Sequence, residues 1–275
     1  MPELQIGFVG AGRIARALAR GFVQAKLADA SGIIASDLSP EAIGLFAAAV
    51  PGSRAAGSNA DVVSGADVIV LAVKPQQLAT VLAELRGNVS GDVMVVSVVA
   101  GATIDTLIEG LGTSRVVRVM PNTPCLIGQG ATGYAMGPGT RDGDARLVSK
   151  LFGSVGIACE LPENLLDAVT GLSGSGPGYV YTVIEALADG AVQMGMPREI
   201  ALLLAAQTVC GAAAMVIESG QEPAALRDQV TSPGGTTLAG LKALEEHGLR
   251  PALVAAVAAA TKRAGELASE SSKSR

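Results

Sequence analysis

The first part of the chain alternates short, continuously apolar runs with longer amphipathic segments. Runs such as Val68–Val73 and Val93–Val99 have no polar interruption apart from one serine, which is typical of strands buried on both faces of a sheet. The predicted strands are Gln5–Val9, Gly32–Ser36, Val68–Val73, Val93–Val99, Val116–Met120 and Ala131–Ala135. The predicted helices between them begin near Arg13, Pro40, Asn59, Gln76, Thr103 and Asp142. This alternation indicates a parallel, doubly wound sheet with right-handed crossovers.

After about Pro162 only helical patterns remain. The predicted helices are Gly178–Gly195, Glu199–Gly220, Thr236–Gly248 and Pro251–Ser269, separated by glycine and proline. The tail from Ser269 to Arg275 is polar, and we expect it to fray. The sequence therefore predicts an α/β protein with a Rossmann-type domain over residues 1–162 and an all-helical domain over residues 163–275.

Composition narrows the function classes. The 275 residues are 49% hydrophobic, 3% aromatic and 16% charged, so the chain has ample apolar surface for a core built from Ala, Val, Leu and Ile. The net charge of -5, without a basic stripe, argues against nucleic acid as a partner.

Targeting and metal signals are missing from the pattern. The start of the sequence has no cationic stretch followed by an apolar one, and Cys125, Cys159 and Cys210 have neither disulfide nor metal-site spacing. We expect a cytoplasmic protein with reduced thiols and no metal. The uncharged run Ile200–Ile217 is long enough for a short membrane span, but it is rich in alanine and contains Gln207 and Gly211. A buried helix or a subunit interface explains it better, and no membrane partner is predicted.

A dinucleotide fingerprint occupies the first turn. Gly10-Ala11-Gly12-Arg13-Ile14-Ala15 follows the first predicted strand and opens a helix, which is the GxGxxA form of the motif. Gly10 permits the tight turn, and Gly12 lets the backbone approach a pyrophosphate. The positive N-terminus of the helix attracts the negative charge of that pyrophosphate. At the end of the second strand Ser36 and Asp37 are adjacent. An acid facing the ribose favours NAD and a small hydroxyl admits the 2′-phosphate of NADP, so the choice between the two stays open.

Candidates for chemistry are few. The single histidine, His247, falls in the last turn of a predicted helix, where the helix dipole accounts for it. Hydroxyacid dehydrogenases need a base to remove an alcohol proton, and this sequence has no evident candidate. Reduction of a C=N bond needs no such base, since the nitrogen can take its proton from a hydroxyl or water, so the sequence favours that reaction. Two loops rich in glycine and hydroxyls, Leu172–Gly178 and Thr231–Thr237, precede helices and could bind a small carboxylate, although helix capping alone would also produce them.

The same residues resemble the pyrroline-5-carboxylate reductase family over essentially the whole chain. The resemblance is carried by Gly7–Leu18, Leu71–Gln76, Val96–Gly101, Val119–Pro124, Asp167–Tyr181, Ala188–Arg198 and Leu226–Gly248. It implies NAD(P)H-dependent hydride transfer to the C=N carbon of 1-pyrroline-5-carboxylate, giving L-proline in the last step of proline biosynthesis.

The resemblance also implies site residues. Thr237 would donate a hydrogen bond toward the ring nitrogen, and Ser232, Gly234 and Gly235 would hold the substrate carboxylate. The expected dinucleotide contacts are Gly10, Ala11, Gly12, Arg13, Ile14, Ser36, Asn59, Ala72, Val73, Lys74, Pro75, Ala100 and Asn122. The adenosine phosphate would lie near Ser36 and Asn59. Many bacterial members carry Asn-Arg where this chain has Ser36-Asp37, so the family's NADPH preference is in question here, and NAD remains an alternative.

Family resemblance further implies dimers with interlocking helical domains, and rings of five such dimers in some members. The small apolar faces of the C-terminal helices agree with a buried interface, and we expect an obligate homodimer.

One alternative function is that of a β-hydroxyacid dehydrogenase, but the helix predicted over Gly178–Gly195 has no lysine for the catalytic acid/base. The others are a non-catalytic NAD(P)-binding sensor and the same chemistry on a six-membered cyclic imine.

Overall fold

The computed structural model describes residues 4–273 and divides them into two compact units. One unit comprises the chain up to Ser175 together with the segment from Ala258 onward, and the other is Gly176–Val257. We call them the sheet unit and the helical unit. The domain boundary expected between residues 162 and 163 stays a prediction.

The sheet unit contains one eight-stranded sheet. Its strands are β1 (Ile6–Val9), β2 (Ile33–Ser36), β3 (Arg54–Ala55), β4 (Val68–Leu71), β5 (Met94–Ser97), β6 (Val116–Met120), β7 (Gly130–Met136) and β8 (Gly156–Glu160). Their order is β3-β2-β1-β4-β5-β6-β7-β8, so the chain changes direction across the sheet between β1 and β4. This confirms the doubly wound fold and places its switch point beside the first turn.

The sequence pattern predicted a parallel sheet, but one pair of strands is antiparallel. β7 runs antiparallel to β6, and β8 then pairs parallel with β7. The cause is the connection, since the segment 121–129 between β6 and β7 is too short for the crossover that a parallel strand requires. The sequence analysis also missed β3 and β8. Both lie at edges and are largely exposed, so they lack the continuous apolar signal of the inner strands.

Helices cover both faces of the sheet. They are α1 (Arg13–Gln24), α2 (Pro40–Ala49), α3 (Asn59–Val63), α4 (Pro75–Leu85), α5 (Ile104–Leu111), α6 (Asp144–Gly153) and α7 (Leu166–Val169). Serine or threonine caps fix three of the starts, because Ser39, Ser58 and Thr103 accept backbone N–H bonds from the first turns of α2, α3 and α5. The four phenylalanines of the chain are all buried in one cluster, between the sheet and the layer of α1, α2 and α6.

The helical unit and the chain that follows it contain α8 (Gly176–Gln193), α9 (Arg198–Ser219), α10 (Pro223–Gln229), α11 (Thr236–Glu246) and α12 (Leu249–Lys273). The four predicted helices are present. The short helix α10 was missed because it has only seven residues and begins at a proline that the sequence pattern marked as a stop. The predicted fraying of the tail was wrong as far as Lys273, since α12 continues to that residue, and the last two residues lie outside the described chain.

Apolar side chains of the helical unit are poorly covered by the chain itself. Its buried cluster consists of Ala188, Ala201 and Ala205, whereas Leu203 is 69% exposed and Ile217 75% exposed. Among the described helices, α9 alone is long and apolar enough to cross a membrane, and 11% of its apolar window is buried. A surface of this kind marks a site of association.

One ion pair anchors the start of α6. Arg115 donates from Nε to Oδ2 of Asp144 at 2.9 Å and from Nη2 to Oδ1 at 2.6 Å, and the Asp144 side chain is 5% exposed. The hydrogen-bonded guanidinium lowers the pKa of Asp144 below its usual 3.8. Because folding lowers this pKa, the pair contributes fully above the unfolded value and is lost as pH falls through the folded one.

Replacing this aspartate (Asp144→Asn) should therefore lower the free energy of unfolding at pH 7 by about 2–3 kcal/mol, because Arg115 loses a charged partner. As the pH falls below about 4, the free energy of unfolding should decrease less for the variant than for the wild type. Urea unfolding at several pH values measures both effects. The matched control is Asp92→Asn, which removes an exposed partner of Arg141 and should change stability little. Equal effects of the two substitutions would contradict the assignment.

Candidate functional site

The turn between β1 and α1 is built around Gly10. Its φ of +100° lies in the left-handed region, and its backbone N–H donates to the Ser36 carbonyl at 2.9 Å. A Cβ at this position would lie 2.6 Å from the carbonyl oxygen of Ala72. Both the backbone angle and the close approach of the chain after β4 therefore require glycine.

The N-terminus of α1 is open. Gly12 precedes the first helical residue, no side chain caps the helix, and a Cβ at Gly12 would meet no atom within 4 Å. The first backbone N–H groups of α1 therefore have no side-chain cap, and they lie at the positive end of the helix. Ala15 is fully buried, which allows the close packing of helix on strand that the fingerprint predicts. The geometry fits a pyrophosphate, with Ala11 buried in the turn, Arg13 exposed and Ile14 half-buried at its edge.

At the end of β2 the two adjacent polar side chains point to different partners. The Asp37 carboxylate accepts the backbone N–H of Ala11 at 2.8 Å and that of Ser39 at 2.9 Å. Ser36 is buried and donates its hydroxyl to Oδ1 of Asn59 at 2.6 Å. Asp37 thus faces the glycine turn and Ser36 faces Asn59, and which of the two would lie beside the ribose stays a prediction. Asn59 in turn donates from Nδ2 to the Glu84 carboxylate of α4 at 2.8 Å. Glu84 was not predicted, because no motif in the sequence around it indicates this contact.

The remaining expected dinucleotide residues follow the carboxyl ends of the next three strands. Ala72, Val73, Lys74 and Pro75 come after β4, Ala100 after β5 and Asn122 after β6. Because β1, β4, β5 and β6 are neighbours, these residues share one edge of the sheet with the glycine turn. Lys74 is exposed as the residue before α4, and Ala100 is exposed as well.

Asn122 is held by two structural hydrogen bonds. Its Oδ1 accepts the Ala131 backbone N–H at 2.8 Å, and its Nδ2 donates to the Ser173 carbonyl at 3.0 Å. Its side chain is therefore fixed between β7 and the segment before α8, with one amide hydrogen left over. Sequence reasoning found this residue but not its partner Ser173, which is distant along the chain.

The first predicted hydroxyl-rich loop is not a loop. Thr170–Gly174 forms one π-helical turn and α8 begins at Gly176, so Leu172–Gly178 is largely helical. The hydroxyl of Ser173 donates to the Val169 carbonyl at 3.1 Å, as expected of a side chain within a helix. The glycines predicted a turn, but the flanking helical segments continue through them.

The second hydroxyl-rich loop has the predicted form. Gly234 has a φ of +70°, and Gly235 directly precedes α11 without a side-chain cap. A Cβ on Gly235 would collide with the Ser232 side chain, so glycine keeps that hydroxyl beside the helix start. Thr237 is half-buried in the first turn, and its hydroxyl makes no hydrogen bond with another described residue. Free N–H groups at the positive helix end, with hydroxyls beside them, suit a carboxylate.

The other titratable groups take ordinary positions. His247 directly follows α11, and its Nδ1 lies 2.9 Å from the Ala243 carbonyl. Burial raises the pKa of the Cys125 thiol, whereas Cys159 and Cys210 are exposed. Over the part of the chain that the structure describes, no three His, Cys, Asp or Glu side chains come together as a metal site.

Comparisons with known proteins agree with this layout. A family model described as "Pyrroline-5-carboxylate reductase dimerisation" matches residues 163–267, and one described as "NADP oxidoreductase coenzyme F420-dependent" matches residues 5–101. A pyrroline-5-carboxylate reductase of Pisum sativum is 45% identical over 262 residues, which cover 95% of each chain.

Solved structures give the same relation. A pyrroline-5-carboxylate reductase from Coxiella burnetii is 36% identical with a TM-score of 0.88 and covers 96% of this chain and 98% of its own. A Plasmodium falciparum pyrroline carboxylate reductase with NADP bound is 32% identical with a TM-score of 0.86, over 98% of this chain and 99% of its own.

The orientation of Asp37 leads to a prediction about dinucleotide choice. Asp37→Ser should raise the affinity for NADPH relative to NADH roughly tenfold, because it removes a carboxylate that repels a 2′-phosphate at the end of β2. Fluorescence titrations with both nucleotides give the ratio of dissociation constants. Asp29→Ser, which removes an exposed acid before β2, is the control for net charge and should leave the ratio unchanged. The same ratio in the Asp37 variant and the wild type would contradict the prediction.

Proposed function

The chain belongs to the pyrroline-5-carboxylate reductase family, and we propose on that premise that it reduces 1-pyrroline-5-carboxylate to L-proline, the last step of proline biosynthesis. The observation that carries the proposal is the 45% identity to a reductase of this name over 95% of both chains. The open helix N-termini at Gly12 and Gly235 support it, since one suits a dinucleotide pyrophosphate and the other a small carboxylate.

On the sheet unit, we assign dinucleotide binding to the turn Gly10–Ile14 and to the residues that follow β2, β4, β5 and β6. When bound, the dinucleotide supplies the hydride. NADPH is the proposed cofactor, in line with the NADP in the Plasmodium falciparum structure. Ser36 and Asn59, which are hydrogen-bonded to each other, would lie at the adenosine end, and Asp37 reduces the advantage of NADPH over NADH.

On the helical unit, the loop Thr231–Thr237 is the proposed substrate site. Ser232 and the backbone around Gly234 and Gly235 would hold the carboxylate at the start of α11. The reaction adds a hydride to the ring carbon of the C=N bond and leaves the nitrogen with one more proton than the neutral imine. The hydroxyl of Thr237 would donate a hydrogen bond to the nitrogen, pass its proton to it as the nitrogen's basicity rises, and regain a proton from water. Orientation and this hydrogen bond suffice, so no histidine base is required.

A β-hydroxyacid dehydrogenase is the nearest enzymatic alternative. Such enzymes use a lysine on the first long helix after the nucleotide domain, and α8, which has that place, contains none. A sensor that binds dinucleotide without turnover would have no need for a second anion site. Neither alternative has an observation of its own in its favour.

The direct test is oxidation of NADPH by the purified protein with 1-pyrroline-5-carboxylate, followed by absorbance. The wild type should turn over, and Thr237→Ala should lower kcat roughly 100-fold with little change in the KM for NADPH, because the hydroxyl acts at the reacting nitrogen. Thr236→Ala, the adjacent threonine in the same helical turn, is the matched control and should retain most of the activity.

Two outcomes would count against these assignments. No turnover by a wild-type protein that still binds NADPH would overturn the proposed reaction. Turnover that Thr237→Ala leaves near the wild-type rate would retain the reaction but remove Thr237 from it, since the proton would then come from solvent or the substrate would bind already protonated.

We also propose that the protein is an obligate homodimer, cytoplasmic, and able to form rings of five dimers. The family model over residues 163–267 is described as a dimerisation region, and the same helices expose Leu203 and Ile217. Sedimentation equilibrium at micromolar concentration should give a mass of two chains or an even multiple of it. A stable single-chain mass under those conditions would contradict the dimer.

A further inference from the structure

An arginine-lined groove runs along the outer side of α1. A cavity of about 230 Å³ is lined by Arg13, Arg16, Ala17 and Arg20 of α1, Leu45 and Ala49 of α2, and Leu126. All seven residues belong to the sheet unit. The three arginines lie on successive turns of one helix, so a rise of about 1.5 Å per residue spreads their Cα atoms over roughly 10 Å. We call this cavity the arginine groove.

No carboxylate in the part of the chain that the structure describes pairs with the arginines of the groove. None of its three arginines makes a salt bridge with a residue that the structure describes, and no carboxylate lines the cavity. Arginines with a carboxylate partner are common elsewhere in the chain: Arg115, Arg118, Arg141, Arg198, Arg227, Arg250 and Arg263. Acids are not scarce in this chain, with 25 against 20 basic residues, so their absence here is a local feature. Like charges three and four residues apart destabilise a helix, and a bound anion would relieve that repulsion.

The groove also has a shaped apolar side and one fixed guanidinium. Arg20 donates from Nη2 to the Leu126 carbonyl at 2.5 Å, which holds its side chain beside the cavity. Leu45 is 48% exposed although it faces a recess, and Ala17 forms a buried floor. A planar guanidinium fork binds phosphate oxygens in pairs, and the apolar side would accept the organic part of a phosphorylated molecule.

We propose that the arginine groove is a further anion site, besides those at Gly12 and Gly235, and that it binds an organic polyphosphate. Its phosphates would lie along Arg16 and Arg20, with the rest of the molecule against Leu45, Ala49 and Leu126. Arg13 also belongs to the turn assigned to the dinucleotide, so Arg16 and Arg20, one and two turns further along α1, distinguish this site from the pyrophosphate site at Gly12. The proposed site does not depend on the reductase activity, and it is tested by the affinity for the anion rather than by turnover.

Inorganic tripolyphosphate is the probe, since it carries the recognised charges alone. Isothermal titration of the full chain, with NADPH at saturation to fill the dinucleotide site, should show binding to the wild type. Arg16→Gln combined with Arg20→Gln should weaken it at least roughly tenfold, because two charge-assisted pairs are lost. Arg146→Gln removes an exposed arginine on α6, outside the groove, and should leave the affinity within about twofold.

Arg16→Gln alone keeps the hydrogen bond of Arg20 to Leu126 and guards against a folding defect in the double variant. It should weaken binding roughly threefold or more with an unchanged melting temperature. The proposal is overturned if the wild type binds no tripolyphosphate, if NADPH abolishes the binding, or if the Arg16 and Arg146 variants bind equally well.

Discussion

The close backbone contact between Gly10 and Ala72 is the constraint on which the dinucleotide side of the structure depends. It lies where the chain leaves β1 on one side of the switch point and β4 on the other. A side chain at residue 10 would come within 2.6 Å of the Ala72 carbonyl oxygen, so only glycine lets the two turns meet. This contact brings the start of α1 next to the segment Ala72–Pro75, and the polar residues after β2 and β6 are placed around it by the order of the strands.

The two anion sites proposed at Gly12 and Gly235 both lie at helix starts without a side-chain cap. Serine or threonine caps the starts of α2, α3 and α5, whereas glycine precedes α1 and α11 and no side chain satisfies their first N–H groups. Glycine also precedes α6, but there the Asp144 carboxylate occupies the first turn. An uncapped helix start costs stability unless water or a ligand satisfies it. The starts of α9 and α10 also lack a side-chain cap, so a missing cap alone does not identify a ligand site, and the proposed sites at α1 and α11 rest in addition on the glycine that directly precedes each helix.

The inner strands and most helix starts could be predicted from sequence, because a strand buried on both faces has a continuous apolar run and a capped helix has a local signal. The edge strands β3 and β8 could not be, since they are largely exposed, and the strand β7 was predicted without its antiparallel direction, which the length of its connection decides. In the candidate site the fingerprint predicted Gly10 and Gly12, and the family resemblance implied Asn122. The direction of the Asp37 side chain and the partners Glu84 and Ser173 depend on contacts between distant segments. Leu172–Gly178 shows the opposite error, in which a local glycine signal was overridden by the helices on either side.

The helical unit links association to the proposed chemistry. Its own buried cluster is three alanines, which is too little apolar burial to order so many helical residues against their chain entropy. The loop Thr231–Thr237 connects α10 and α11, and neither helix has a residue that is buried within the chain. Whatever covers the exposed sides of these helices must also stabilise the position of Gly235 and Thr237. Hence the proposed substrate loop and the proposed dimer surface belong to the same helical unit, and a loss of association is expected to shift the Thr237 hydroxyl even without a change in sequence there.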